Sequence, residues 1–226
     1  RNPMIITDSA GRDPQGFVNL VALAELLAIP VTEATPVYSN FPKSHPMHMG
    51  FNPSPYFEQT DLVLIVGARA PWYPPSAGPV NSTVVAMGET PLKGNMAYQN
   101  LLADMYVEGD LTLALGLLVE ALKSSGAAQA GKVEERRAKW TAEHGRLQER
   151  SRAAVEEARA KQPIDPVWLC AAITEVMPSD TVYAEETTSH RGAVLQHVGW
   201  EEPQRYLHPT GGLGQGLGLA LGAKLA

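Results

Sequence analysis

The sequence predicts an α/β protein: a three-layer, parallel-sheet central domain followed by a truncated second α/β domain. Three observations carry that prediction. Two near-continuous aliphatic runs, DLVLIVG at 61–67 and STVVAMG at 82–88, have the composition of parallel strands buried on both faces. Apolar runs of helical spacing lie around them, as helices covering such a sheet require. Beyond residue 131 a long charged run intervenes, and a shorter strand-and-helix pattern begins near 165.

The elements follow in order. Residues 3–8, PMIITD, read as a short buried strand and 17–28, FVNLVALAELLA, as a compact helix. Pro30 fits just outside that helix, since it cannot extend the hydrogen-bond ladder, and 30–34 restarts as strand. The runs 61–67 and 82–88 come next. Asp110 is a good N-cap for a helix over 110–123, in which Leu111, Leu115, Leu118 and Leu122 share one face. The result is a central domain at 1–125 with a sheet of six-stranded type. Residues 124–131, small and polar, read as a linker.

Residues 132–161 read as a charged helix of roughly 45 Å. Val133, Trp140, Leu147 and Ala154 recur every seven residues, but Arg137, His144 and Ser151 between them are polar. A coiled-coil seam wants both heptad positions apolar, so a thin docking stripe is expected instead, with a bend at Gly145. Linker and helix together occupy 126–163. Asp165 and Pro166 then supply an N-cap and a proline at the first helical position. A strand at 181–184, a crossing loop at 185–189, a short helix at 191–198 and a glycine-rich helix at 212–226 complete the chain. One good strand and three helices make no complete sheet. Residues 164–226 therefore read as the N-terminal part of an incomplete domain, and the chain as an interior piece of a longer polypeptide.

Composition excludes several classes. With 44% hydrophobic residues among 226 the chain can build cores and is not a disordered tail. Cys170 is the single cysteine, so no disulfide scaffold exists, and its place on an apolar helical face predicts a buried, inert thiol. No apolar run of about 18 residues appears, which predicts no membrane span. The opening RNPMIITD has no signal-peptide pattern, and a cytoplasmic setting follows. Net charge is −6, and nine of the 18 Lys/Arg lie within 131–161, interleaved with six Glu. That interleaving describes a solvated helix face rather than a nucleic-acid footprint.

Four places could carry chemistry. The segment 208–226 holds glycine at 211, 212, 214, 216, 218 and 222, which allows close approach of main-chain groups to a ligand, or tight helix packing. It follows no strand directly and leaves no room for the acidic residue of a dinucleotide fingerprint. Thr188 and Ser189 offer hydroxyls between a strand end and a helix start, suited to an anion or to plain capping. Glu185 and Glu186 oppose an unscreened phosphate there, so they should point away or act through a cation. His45 and His48 sit in a proline-rich loop without the further ligands a metal pair needs, which leaves His45 as a substrate-facing candidate. Residues 67–69 end a strand where a nucleotide crevice could form, or make only a tight turn.

These stretches carry a resemblance. The series PMIITD, LAELLAIPV, NFPKSHPMHMG, TDLVLIVGAR and VEGD resembles the central domain of the thiamine-diphosphate-dependent decarboxylase and acetolactate synthase superfamily. The series EETTS and TGGLGQGLGLALGAKLA resembles the opening of its diphosphate-binding domain, and 186–189 and 211–214 are similar to the benzoylformate decarboxylase branch. The resemblance implies that Thr188 and Ser189 contact the cofactor's diphosphate. It implies that the Gly211 carbonyl receives the 4'-amino group of the aminopyrimidine, with Gly212 beside it. Leu213 matches the apolar residue that keeps the cofactor bent, and His45 matches an active-site histidine.

Thiamine diphosphate and Mg2+ are thus the cofactors implied for the full-length protein, with a 2-oxo acid as substrate. The family's catalytic glutamate belongs to an N-terminal pyrimidine-binding domain not seen before Arg1, and the GDG…N metal element would follow Ala226. The resemblance therefore supplies no metal ligand here and implies that this stretch alone is inactive. FAD is not expected: of the family's arginine-rich run, only Arg69 survives in 67–72, and 9–11 lacks a glycine pair. A homodimer or homotetramer is implied. Two alternatives stand beside a benzoylformate decarboxylase-like lyase: an acetolactate synthase-like carboligase (a transferase) with FAD, and a non-catalytic nucleotide-binding or assembly module.

Overall fold

The computed structural model describes residues 1–92, 102–127, 131–209 and 211–226. Five parallel strands form the main sheet, in the order β2-β1-β3-β4-β5: β1 (Pro3–Thr7), β2 (Val31–Glu33), β3 (Leu62–Val66), β4 (Thr83–Gly88) and β5 (Met105–Glu108). β1 is buried along its whole length, and Met4, Ile5 and Ile6 have no solvent exposure. That is why its apolar run does not alternate. Against the expected six-stranded type, the described residues give five strands plus an edge. Residues 47–50 lie along β2, where Val31 N donates to Met47 O at 2.8 Å, Met49 N to Val31 O at 2.7 Å and Glu33 N to Gly50 O at 3.0 Å. Two prolines, Pro42 and Pro46, keep the approach to this edge irregular.

Helix α1 (Pro14–Leu27) starts three residues before the expected 17. Asp13 caps it, accepting from Gln15 N at 2.7 Å, and Pro14 occupies the first turn at no hydrogen-bond cost. Helix α2 (Leu111–Ser124) is capped as expected by Asp110, which accepts from Leu113 N at 2.7 Å, and packs against α1. Helix α3 (Gly131–Ala158) is one element through Gly145. Its stripe is Val133, Trp140, His144 and Ala158, with Leu147 partly buried. Trp140 meets Tyr56 edge-on at 5.6 Å, and Arg136 donates to the free carbonyl of Leu27 at 2.7 Å, closing the end of α1. No helix among the described residues is long and apolar enough to cross a membrane.

A smaller α/β unit follows: α4 (Pro166–Val176), β6 (Tyr183–Ala184), α5 (Arg191–His197), β7 (Tyr206–Leu207) and α6 (Gly216–Leu225). Asp165 and Pro166 cap α4 as expected. The single strand expected here is joined by β7, which pairs parallel to β6. The expected helix over 212–226 is shortened to Gly216–Leu225, because Gly212 and Gly214 have φ of +83° and +76° and form a turn. The unit's own core is small: Cys170, Leu195, Val198, Trp200 and Tyr206, with Phe51 of the first unit packed against it. Burial raises the Cys170 thiol, in keeping with an inert cysteine.

Candidate functional site

The second unit docks along 36–44, and α5 sets the direction. At its first residue, Arg191 donates to Pro36 O at 2.7 Å, beyond the carboxyl end of β2. At its other end, Lys43 donates to the carbonyls of Leu195 and Val198 and lies 4.1 Å from the Trp200 ring. A cation at a helix C-terminus meets the negative end of the dipole. Burial holds the Lys43 ammonium down at about 7, with Glu33 and Glu201 pulling the other way. β7 continues the docking: Ser39 N donates to Tyr206 O at 3.2 Å and His208 N to Val37 O at 2.9 Å.

The loop after β6 is built on two glutamates facing opposite ways. Glu185 is buried and accepts from Thr187 N at 2.5 Å, the Tyr206 hydroxyl at 2.8 Å and His208 Nδ1 at 2.9 Å, with the Thr187 hydroxyl also on it. Arg191 Nε stands 3.5 Å away. Desolvation pushes this carboxyl up, but the bonds from Thr187 and Tyr206 outweigh it and leave it below its ordinary value. Glu186 reaches outward, accepting from Gln215 N at 2.9 Å and Gly216 N at 2.5 Å. Residue 216 has to be glycine for this approach, since a Cβ there would stand 2.9 Å from Glu186 Oε2 and 3.0 Å from its Cβ.

Between these anchors Thr188 and Ser189 are exposed, and their hydroxyls make no hydrogen bond among the described residues. Gly211, Gly212 and Leu213 are exposed too, Leu213 at 84%. Free hydroxyls on one segment, a glycine turn with an unburied leucine on the next, and a side chain joining the two make a surface able to hold a ligand with an anionic end and an apolar, hydrogen-bonding end. The expectation that Glu185 and Glu186 turn from this surface agrees with their positions: both are spent on protein donors.

His45 stands apart from this surface. It is half-buried at the far end of the 36–45 segment, where Nδ1 accepts from Met47 N at 3.0 Å and Nε2 lies 3.4 Å from Glu25 on the last turn of α1. That turn leads into the amino end of β2, so His45 and Pro36 lie at opposite ends of that strand. Burial lowers its pKa, partly offset by Glu25. His48 is more buried and pairs with Glu33 at 3.1 Å; Asn40 donates to the other Glu33 oxygen at 2.9 Å. His144, expected as a polar break in the α3 stripe, is buried because its Nδ1 donates to His48 O at 2.8 Å.

The carboxyl ends of β1, β3 and β4 open into a crevice of about 540 Å³ lined by Ser9, Arg12, Gly67, Gly88, Glu89 and Asp110. Strand order reverses beside β1 here, the usual place for a ligand in an open parallel sheet. Both helix N-termini at its rim are already capped by Asp13 and Asp110, and Glu89 stands 3.5 Å from Arg12. Asp8 braces the wall. It is buried and accepts from Thr35 N at 2.7 Å, the Thr35 hydroxyl at 2.8 Å and Arg69 N at 2.8 Å. Burial nevertheless raises its pKa. The Arg69 backbone thus serves the turn, and sequence reasoning missed Asp8; its place at the end of a buried strand was the available signal. Among the described residues no group of three or more His, Cys, Asp or Glu is gathered as a metal site.

A parallel α/β unit with a crevice at its strand ends is joined by a long helix to a second α/β unit with an exposed glycine turn. The chain belongs to the family described as thiamine pyrophosphate enzyme, central domain, which matches residues 1–122. Benzoylformate decarboxylase from Pseudomonas aeruginosa is 30% identical over 241 aligned positions, covering all of this chain and 41% of that protein. Among solved structures, a thiamine diphosphate-dependent 4-hydroxybenzoylformate decarboxylase from Rhodococcus jostii superposes with a TM-score of 0.68 at 22% identity, covering 99% of this chain and 41% of that one. Benzoylformate decarboxylase from Polynucleobacter necessarius superposes at 0.70 with 23% identity, covering 100% and 41%. The structural likenesses are likenesses of fold. The chain spans about two fifths of the length of these relatives.

Proposed function

We propose that this chain is the central domain, connecting helix and first part of the diphosphate-binding domain of a thiamine-diphosphate-dependent enzyme that decarboxylates a 2-oxo acid, as its benzoylformate decarboxylase relative does. The proposed boundaries are 1–125, 126–163 and 164–226, with a pyrimidine-binding domain and the rest of the diphosphate-binding domain supplied by further sequence, in a cytoplasmic homodimer or homotetramer. The observation that carries the reading is the pair of exposed segments, Thr188–Ser189 and 211–213, joined through Glu186. Thiamine diphosphate, when bound, supplies a nucleophilic ring carbon and an electron sink. Thr188 and Ser189 would donate to its diphosphate, the Gly211 carbonyl would accept from its amino group, and Leu213 would press on its underside. No magnesium ligand is assigned within this chain, and His45, which stands apart from these two segments, is kept as the candidate active-site histidine of the central domain.

The crevice at the strand ends is read as a site without FAD. Asp13, Glu89 and Asp110 there oppose a dinucleotide's pyrophosphate, and the helix N-termini that would bind it are already capped. The test uses the full-length protein with benzoylformate, with and without thiamine diphosphate and Mg2+. Cofactor-dependent release of CO2 and benzaldehyde is expected. Acetolactate formed from pyruvate, with flavin absorbance near 450 nm, would favour the carboligase reading. No cofactor-dependent turnover of either acid would favour the non-catalytic module.

A further inference from the structure

We infer that Glu186 is a positioning residue: its carboxylate sets the glycine turn at 211–214 against the loop of Thr188 and Ser189, so that both halves of the cofactor surface keep one spacing. The inference rests on the proposed thiamine-diphosphate site and deepens it. Glu186 uses both oxygens, Oε1 on Gln215 N at 2.9 Å and Oε2 on Gly216 N at 2.5 Å, across about thirty residues of sequence. These are the first amides of α6, and a bidentate carboxylate there is held by two charge-assisted hydrogen bonds and the helix dipole together. The N–H groups of Gly216, Gln215 and Gly214 keep the carboxyl below its ordinary pKa, so it is ionised at neutral pH. The turn itself has little other support. Gly211, Gly212, Leu213 and Gly214 are exposed, and no buried residue lies in α6.

The contrast with Glu185 sharpens the assignment. Glu185 ties the root of the loop inward to Tyr206 and His208, which are docked on 37–39, while Glu186 ties its outer part to the turn. Thr188 and Ser189 follow immediately, free of partners among the described residues. A loop fixed at its root and a turn fixed through one side chain would otherwise drift relative to each other. Displacements of that kind are costly where two segments must grip one ligand.

Two measurements test this. In this chain, Glu186→Gln replaces one accepting oxygen by an NH2 that faces a donor. The amides of Gln215 and Gly216 should then exchange with solvent about tenfold faster, while the amides of β1 and β3 keep their protection. Unchanged exchange at 215 and 216 would overturn the link outright. In the full-length protein, the thiamine diphosphate dissociation constant at saturating Mg2+ should rise about tenfold in Glu186→Gln. That rise should exceed the fall in kcat at saturating cofactor, a split that simple helix capping does not produce. Faster exchange with an unchanged dissociation constant would reduce Glu186 to a helix cap and overturn the positioning role, leaving the cofactor site intact. Wild-type protein that fails to bind thiamine diphosphate, but still protects 215 and 216, would instead overturn the functional reading on which the role rests.

Discussion

At the residue scale, two side chains separate fold from function in measurable ways. Leu213 is 84% exposed, so Leu213→Ala removes little packing from this chain and should change its melting temperature by less than about 2 °C. On the proposed function, the same change in the full-length protein should lower turnover at saturating cofactor roughly tenfold or more, because the proposed contact of Leu213 with the cofactor would be lost. Wild-type turnover in a folded, cofactor-saturated variant would remove Leu213 from the site. Lys43 makes a pH prediction. Its folded pKa is about 7 against 10.5 in the unfolded chain, so between those values the unfolded state binds more protons and stability rises with pH. The rise is at most about 1.4 kcal/mol per pH unit, less as solvent reaches the half-buried stem. Denaturant melts of wild type and Lys43→Met at pH 7 and pH 9 check this. The wild type should gain on the variant, and parallel behaviour would place Lys43 in water. Leu213 was singled out only through the family resemblance, because the glycine pattern around it suits tight helix packing as well. The sequence hid Lys43, whose burial depends on carbonyls more than 150 residues away.

At the element scale, legibility followed burial. β1, β3 and β4 are covered on both faces, and their aliphatic runs announced them. β5 was missed: it is an edge strand with Met105 and Val107 exposed, and four residues give no period to read. β7 was missed because two residues, Tyr206 and Leu207, form a strand only through their partners. The early start of α1 had the same Asp-Pro signal that located α4, but Gln15 and Gly16 masked the apolar face. Helix α3 was the hardest to weigh, since its charge suggests a solvated rod. Trp140, buried against Tyr56, argues that it completes the central core. Trp140→Ala should therefore cost about 3–5 kcal/mol and lower the melting temperature by on the order of 10 °C. A calorimetric drop under about 2 °C would show that α3 merely lies on the surface.

At the scale of the whole molecule, the two units differ in how well they bury themselves. The first surrounds a five-stranded sheet and buries Phe41, Leu20, Leu23 and Leu115 completely. The second has two short strands, and α6 has no buried residue. Leu213, Leu217, Leu221 and Leu225 fall four residues apart and are exposed at 84%, 75%, 58% and 89%. On α6 that spacing lines one side with Leu217, Leu221 and Leu225, Leu213 stands in the turn before it, and Val176 and Ile164 add apolar surface elsewhere in the unit at 76% and 63% exposed. Contiguous apolar patches of this kind drive association in water. In isolation this chain should self-associate at micromolar concentration, with a weight-average mass above 24.3 kDa by sedimentation. Changing Leu217, Leu221 and Leu225 together to Gln should return it to monomer. The melting of the first unit should be unaffected, since α6 packs only on the second unit's β6 among the stronger contacts. Two outcomes would contradict this account: a wild-type chain monomeric at 100 μM, which would mean the stripe is sheltered, or a triple variant that loses the first unit's melting transition, which would mean α6 supports the sheet.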